Sequence, residues 1–584
     1  MAGCGGRRPA GRPNVIVILT DDQGYGEFSC FGNPRLRTPN LDRLHAEGVR
    51  FTDFHVTPMC APTRAQLMTG RDAMFTSATN PSSGRGLLRT GLPTMADVFA
   101  ANGYRTGLFG KWNLGDAYPY RPEDRGFHDA VWFPSTHIGS LPDAWNNDYF
   151  SDRYRRHGGL KQYEGYCADV FFEQAMDWMR ERHAAREPFF VYLPLNTPHK
   201  PFFVPRRYRE PYEDLPGDLP AFYGMIANID ENIGWLEDML RETGLRDDTI
   251  LVFLTDNGTV AGARFFNAGL RGRKVQLYEG GHRVPCFLRW PAAGWRPRDI
   301  GGLTECQDLL PTLLELCGLK TPEGLEFDGV SLAGLLRGEI ERAPDRTLVV
   351  QYTPVRVNAG VVGSPEAAAP PVEPKYGNAA VMWRQWRLID GSKLYDLARD
   401  PGQRINLIDR HPEIADRLRR YYDEWWKRVE PYGRSFVPVH VGAGAENPTL
   451  LTGCEWAGVW MDQCLQVRRG DRRNGFWHVY VEKAGDYEFS LRRWPEAAGA
   501  ALSEGVPAHE GEIGHYPAGV PLPIAKAKIR VGSRELSQSV GARDKAATFR
   551  LPLTEGRTKL KTWFFDADGN EICGAYYVTA RRRG

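Results

Sequence analysis

The sequence predicts an α/β fold, a sheet covered by helices on both faces, followed by a smaller α+β unit and an all-β, sandwich-like tail. Three observations predict it. From Asn14 to about Trp290, short apolar or β-branched runs alternate with longer amphipathic stretches, the order of a helix-covered sheet. After Pro438 the pattern switches to alternating runs punctuated by Gly-Asp, Asp-Gly and Glu-Gly turns. The chain of 584 residues also exceeds what one ordinary core holds, so roughly two or three domains are expected.

Strands are predicted at Val15–Leu19, Thr106–Phe109, Phe189–Leu193, Thr249–Leu254 and Cys286–Arg289. Helices are predicted at Leu41–Glu47, Thr94–Asn102, Cys167–Arg182, Pro220–Glu242 and Asp308–Leu316. In the fourth helix Met225, Ile226, Ile229, Ile233, Leu236 and Leu240 recur at helical spacing, so one face lies on a core. Thr353–Lys375, rich in Val, Ala, Pro and Gly, reads as a loop. The smaller unit then offers strands at Val381–Ile389 and Lys393–Leu397 and a helix from Pro412 to about Val429 carrying Trp425 and Trp426. The tail offers Trp477–Val481, Tyr487–Leu491, Ala525–Val531, Ala547–Leu551, Lys559–Phe565 and Ala575–Thr579.

Net charge is +2 with 25% charged residues, which gives no reason to expect nucleic acid or a membrane surface as partner. No apolar run reaches membrane-spanning length. Ten cysteines lie scattered without metal-binding pairs, so most are expected to be small buried apolar residues. The opening lacks the apolar stretch of a secretion signal, which as written implies a cytoplasmic chain. Ala2-Gly3-Cys4-Gly5 resembles the end of a lipoprotein signal; with an upstream start, the chain would be periplasmic or anchored at Cys4.

The sharpest motif is Cys60-Ala61-Pro62-Thr63-Arg64, continued by Leu67-Met68-Thr69-Gly70. It resembles the signature of the formylglycine-dependent sulfatases of the alkaline phosphatase superfamily, in which a maturation enzyme oxidises the cysteine to an aldehyde. That resemblance implies a large mixed sheet between helices. It also implies a hydrated aldehyde at residue 60, with one hydroxyl attacking sulfur and the other later expelling sulfate. Arg64 would hold the hydroxyls or the neighbouring carboxylates.

Two predicted strands run into acids: Asn14–Leu19 into Asp21-Asp22, and Ile250–Leu254 into Asp256-Asn257. Acids at the carboxyl edge of a sheet stand where α/β ligands bind. Three carboxylates and an amide oxygen, with an oxygen from modified Cys60, make an all-oxygen site for calcium, or for magnesium. These runs resemble the family's metal ligands, and Asp256 is also the candidate acceptor of the nucleophile's proton.

Gly110-Lys111-Trp112-Asn113-Leu114-Gly115, Asn196-Thr197-Pro198-His199 and the stretch Leu270–Lys274 are similar to further family segments. The resemblance implies that Lys111 and Lys274 grip the sulfate while His199 assists the leaving oxygen, as charge build-up in the reaction requires. Asn113 departs from the family, which has a histidine there to help release sulfate; asparagine takes no proton near neutral pH. His137 is the expected substitute near the sulfate or leaving group. The remaining histidines, His282 included, are expected to be structural.

The resemblance covers about Asn14 to Tyr432 and implies a catalytic domain 14–345 and a subdomain 346–436; composition and pattern add a flexible tail 1–13 and a β-rich accessory domain 437–584, which resembles no family. It favours a sulfated carbohydrate, which many bacterial relatives trim, with aryl sulfates as a further substrate. Trp112, Trp132, Trp145 and Tyr149 either stack on a sugar face or belong to the core. The tail fits glycan contact or completion of the pocket. Two rival expectations are a phosphate or phosphonate ester hydrolase of the same superfamily and a glycan-binding protein without turnover.

Overall fold

A computed structural model describes residues 12–364 and 375–583. Cys4 lies outside the described residues.

The catalytic sheet has ten strands. In spatial order they are Arg298–Ile300, Val49–Phe51, Cys286–Arg289, Thr249–Thr255, Asn14–Thr20, Phe189–Pro194, Arg105–Lys111, Asp129–Phe133, Arg153–Arg156 and Gly159–Gln162. The five from Thr249–Thr255 to Asp129–Phe133 are parallel; antiparallel pairs flank them, so the sheet is mixed. Both faces are sealed. Val15, Val17, Ile250 and Val252 enter one core, while Ile16, Ile18, Leu251 and Phe253 enter the other. That two-sided burial is why the strands read as continuous apolar runs, each side chain contributing about 1.5–3 kcal/mol. Helices Cys60–Thr69, Met95–Ala101 and Leu309–Leu316 pack in the first core, and Cys167–Ala184 and Leu219–Glu242 in the second.

The next unit is an antiparallel sheet of Thr347–Gln351, Ala379–Trp383, Trp386–Ile389 and Lys393–Asp396. The run Val381–Ile389, expected as one strand, is a hairpin, because Arg384 takes a left-handed φ of 50° and reverses the chain. Helix Pro412–Arg434 lays Tyr422, Trp425 and Trp426 on this sheet.

The tail forms two facing sheets around one core. One runs Val439–Val441, Phe476–Val481, Gly556–Phe565, Lys526–Val531, Arg534–Ser539; the other runs Thr449–Thr452, Tyr577–Arg583, Gly485–Arg492, Ala547–Leu553. Trp477, Val479 and Val481 alternate inward from Phe476–Val481 to meet Tyr487, Phe489 and Leu491. Leu87, Tyr120 and Leu141 of the catalytic domain join the same core, so the sandwich is fused to that domain. Among the described residues no helix is long and apolar enough to cross a membrane.

Candidate active site

Four adjacent parallel strands deliver their C-terminal residues to one edge of the sheet. Thr20 and Leu19 lie in register with Thr255 and Leu254, so Asp21 and Asp256 leave the sheet side by side. Phe189–Pro194 runs on to Asn196 and His199, and Arg105–Lys111 ends in Lys111 itself. Asp22 turns the chain at φ 66°, a conformation aspartate tolerates better than most residues.

Helix Cys60–Thr69 approaches this edge with its N-terminus, and all ten of its residues are buried. Cys60 stands at the end where unpaired backbone N–H groups favour an anion. One turn on, on the same face, Arg64 donates to Asp256 Oδ2 at 2.8 Å and to the carbonyl of Lys111 at 3.1 Å, and lies 3.8 Å from Asp21 Oδ2. Lys111 Nζ donates to Asp21 Oδ2 at 2.6 Å, and Lys274 pairs with Asp22 Oδ1. The lysines expected to grip sulfate are thus paired with the two acids that precede them in the chain.

The carboxylates form a close set. Asp22 N–H donates to Asp256 Oδ1 at 3.2 Å, and Asn257 Nδ2 donates to Asp22 Oδ1 at 2.8 Å. Burial, then the Asp21 charge, raises Asp256 to about 6. Burial would also raise Asp22, yet the Lys274 ammonium and His199 hold it below the ordinary range. Asp21 Oδ1 and Asn257 Oδ1 are buried without a hydrogen-bond partner. An all-oxygen set with two such orphaned atoms fits a hard divalent cation. Both oxygens of Asp256 already accept hydrogen bonds, which ties this side chain to the acid–arginine frame.

Above this frame opens a cleft of about 560 Å³. Asp22, Cys60, His137, His199 and Lys274 line it, while Asp21, Arg64, Lys111 and Asp256 are sealed behind them. The rings of His137 and His199 stack with centroids 5.5 Å apart. His199 Nδ1 bonds the Lys200 carbonyl at 2.6 Å, and its Nε2 lies 3.7 Å from Asp22 Oδ2. Burial lowers His199 to about 3 against the pull of Asp22, with Lys274 and Lys111 adding to the fall. Burial lowers His137 as well. Asn113 stands apart: it lines a separate small cavity with Ser135 and Cys454, and its Oδ1 has no partner.

The aromatic residues weighed as sugar platforms belong to the core. Trp112, Trp132 and Tyr149 are at most 1% exposed, and Trp145 packs on Trp494 with centroids 6.1 Å apart. The cleft is instead lined by Phe202 and Phe222, and by Trp460, Asp462 and Gln463 of the tail. No motif marks these residues; they reach the cleft only through tertiary packing. His282 sits in a second buried group with His55 and Glu279, away from the cleft lining.

The sulfatase family model matches residues 13–319. Human arylsulfatase A (Homo sapiens) is 30% identical over 496 residues, covering 76% of this chain and 92% of its own. The N-acetylgalactosamine-6-sulfatase of Rattus norvegicus is 27% identical, covering 80% of this chain and 94% of its own. A crystal structure of Ps i-CgsB with k-i-k-neocarrahexaose superposes with a TM-score of 0.64 at 24% identity, covering 73% of this chain and 95% of its own. The fold, the matched segment and the length shared with these relatives agree: the chain belongs to the sulfatase family, the sulfuric ester hydrolases.

Proposed function

We propose that the protein hydrolyses a sulfate ester of a carbohydrate, using a formylglycine hydrate made from Cys60 beside a divalent cation, calcium in the first instance. The observation that carries this reading is the convergence of Cys60, at a helix N-terminus, with Asp22, Lys274, His137 and His199 on one cleft. Sugar sulfate is the preferred substrate because one of the relatives is named for N-acetylgalactosamine and a structural neighbour is in complex with k-i-k-neocarrahexaose.

A hydrated aldehyde at residue 60 supplies two hydroxyls on one carbon, one to displace the alcohol from sulfur and one to release sulfate. A divalent cation held by Asp21, Asp22, Asp256 and Asn257 supplies charge withdrawal from the sulfate and favours an ionised nucleophile. The charges balance: three carboxylates already face Arg64, Lys111 and Lys274, so a dication answers a sulfate monoester and an ionised hydroxyl. Arg64 fixes Asp256 and the end of the Lys111 strand. Lys274 lines the cleft, where it can turn from Asp22 to sulfate oxygens once that acid is otherwise engaged, while Lys111 holds Asp21 behind the lining. His199, with Nδ1–H donated to the Lys200 carbonyl, can pass a proton from Nε2 to the departing ester oxygen only as the imidazolium, a form that burial disfavours and the negative charge of a bound sulfate favours. The motif is buried in the folded chain, which favours action of a maturation enzyme on Cys60 before folding.

Mass spectrometry of the peptide containing residue 60 tests the reading: an aldehyde is expected, and a fully active preparation with an intact thiol overturns it. Sulfate and phosphate esters of one alcohol, assayed side by side, separate this activity from that of a phosphoryl hydrolase; steady turnover excludes a pure binding protein.

A further inference from the structure

We infer that the β-rich tail is a wall of the active site and that Trp460 is its platform for the alcohol half of the ester, a group with a flat apolar face and no second anionic substituent. This rests on the sulfatase reading and adds the recognition of the leaving group to it.

The family model stops at residue 319, yet Trp460, Asp462 and Gln463 line the same cleft as Cys60. Their segment is held in place before any ligand arrives. The Trp460 indole N–H donates to Asp462 Oδ1 at 2.9 Å, which sets the plane of the ring, and the Arg473 guanidinium lies 5.8 Å from its centroid. The backbone N–H groups of Asp462 and Gln463 both donate to Gln466 Oε1 at 3.0 Å. The segment is also bonded to the loop that carries His137. Leu141 N–H donates to the Asp462 carbonyl at 2.9 Å, Cys464 N–H donates to the Gly139 carbonyl at 3.3 Å, and Ser140 bridges Gln463. Nearby, Arg468 donates to Asn146 Oδ1 at 2.8 Å and Tyr516 Oη to the Asn147 carbonyl at 2.6 Å. The tail and the His137 loop are therefore one rigid unit, and a half-buried indole fixed this way loses little freedom when a ring stacks on it.

Charge defines what the platform accepts. Beyond the groups at the sulfate end, the charged side chains lining the cleft are Lys200, Asp218 and Asp462, one cation against two acids. No arginine lines the cleft among the described residues. Phe202, Leu219, Phe222 and Val260 supply the rest of that surface with apolar contact. Among the described lining residues a second sulfate or a carboxylate on the leaving group would meet Lys200 alone against Asp218 and Asp462, which disfavours it. A neutral sugar ring and an aryl ring share the accepted chemistry, each with a flat apolar face. Asp462 and Gln463 add hydrogen-bonding groups suited to sugar hydroxyls.

The experiment uses the full, matured chain and its Trp460→Ala, Trp460→Phe and Gln463→Ala variants. Substrates are 4-nitrophenyl sulfate, a neutral N-acetylhexosamine monosulfate and a disulfated disaccharide, with inorganic sulfate as inhibitor. Trp460→Ala is expected to raise KM about tenfold for whichever monosulfate the platform holds, the scale of a lost aromatic contact. Trp460→Phe should retain most of the affinity. Inhibition by inorganic sulfate should not change, because the anion grip is untouched; this also shows that the variant is folded. A larger loss for the sugar identifies a glycan platform and a larger loss for the nitrophenyl ester an aryl platform, whereas Gln463→Ala should weaken the sugar alone. Unchanged KM for both monosulfates in Trp460→Ala, or a disulfated substrate turned over as well as the monosulfate, overturns the inference. If the wild type turns over no sulfate ester, the reaction reading falls separately. Calorimetric binding of the monosulfated sugar to wild type and Trp460→Ala then decides the platform, equal affinity overturning it.

Discussion

The ammonium of Lys111 lies 2.6 Å from Oδ2 of Asp21, and neither side chain is exposed to solvent at all. A buried pair of this kind is costly to break, because the remaining charge keeps its desolvation penalty and loses its partner. Lys111→Ala should therefore lower stability by about 3–5 kcal/mol in chelator. Arg64, at 3.8 Å from the same oxygen, is a weaker substitute. Added calcium should return more of the thermal midpoint to the variant than it adds to the wild type, because the cation answers the charge the lysine left. Turnover should fall about 10²–10³-fold, the scale for removing one fixed stabiliser of developing charge. Equal thermal midpoints for the two proteins in chelator would refute the coupling.

Asn257 offers a separate test of the cation site. Its Oδ1 is buried with no partner while its Nδ2 is fixed on Asp22, so the oxygen is aimed by the rest of the side chain. Asn257→Leu should weaken calcium binding by at least about 10–100-fold, the range for losing even an outer partner of a metal ligand. The wild type should gain about 2.7 kcal/mol at a calcium concentration 100 times Kd. Calorimetric titration of the chelator-stripped proteins measures the affinity and thermal unfolding with and without calcium the gain, and equal affinity would show that Asn257 does not hold the cation.

The catalytic sheet was legible because its strands are buried on both faces and its helices on one, which writes uninterrupted runs such as Val15–Leu19 and a 3.6-residue period into the chain. Short strands towards the two ends of the sheet were missed for the converse reason. Val49–Phe51 and Arg298–Ile300 have three residues each, and Arg153–Arg156 is mostly arginine, so none shows a period. The acids were visible because strand ends set them, Asp21 and Asp256 each following a buried run. Trp460 was not visible, since its place depends on a sandwich loop meeting the His137 loop more than 300 residues earlier in the chain. His55 and His282, 227 residues apart, met for the same reason.

His137 and His199 face the cleft with stacked rings, and the choice of leaving group separates their roles. A poor alkoxide leaving group needs a proton and a nitrophenolate hardly does. His199→Ala should thus lower kcat on a sugar sulfate by about 10²–10⁴-fold and on 4-nitrophenyl sulfate far less. His137, with Nδ1 bonded to Thr136 Oγ1 at 2.8 Å, should contribute to both substrates through the sulfate end. If His137→Ala leaves affinity and turnover unchanged on each, its assignment to the site fails. Loss of the same factor on both substrates in His199→Ala would argue against proton donation there.

Acid stability depends on the joint between the catalytic domain and the unit that follows it. Arg387 reaches from strand Trp386–Ile389 to Glu279 Oε1 at 2.8 Å and Asp53 Oδ1 at 3.1 Å, and the same aspartate faces His55 Nε2 at 2.9 Å. His282 Nε2 faces the Leu277 carbonyl at 3.1 Å, so it must donate there; its Nδ1 then accepts from His55 Nδ1 at 3.0 Å. Burial would raise Glu279, but Arg387 first and the two histidines after it hold it at about 2, against 4.5 when unpaired. Because the folded value is the lower one, the stability this group contributes is complete above about pH 4.5 and drains away as pH falls towards 2. Burial would raise Asp53 too, yet Arg387, His55 and Arg283 together hold it below its ordinary range, and it adds to the loss in acid. Glu279→Gln should therefore flatten the fall of the thermal midpoint between pH 4.5 and pH 2. Arg387→Leu should cost about 3–5 kcal/mol at neutral pH, where two buried carboxylates lose their shared partner. It should lose relatively less on acidification, since those carboxylates would then gain protons sooner. A variant whose midpoint tracks the wild type in parallel across that window would show that the network does not set acid stability.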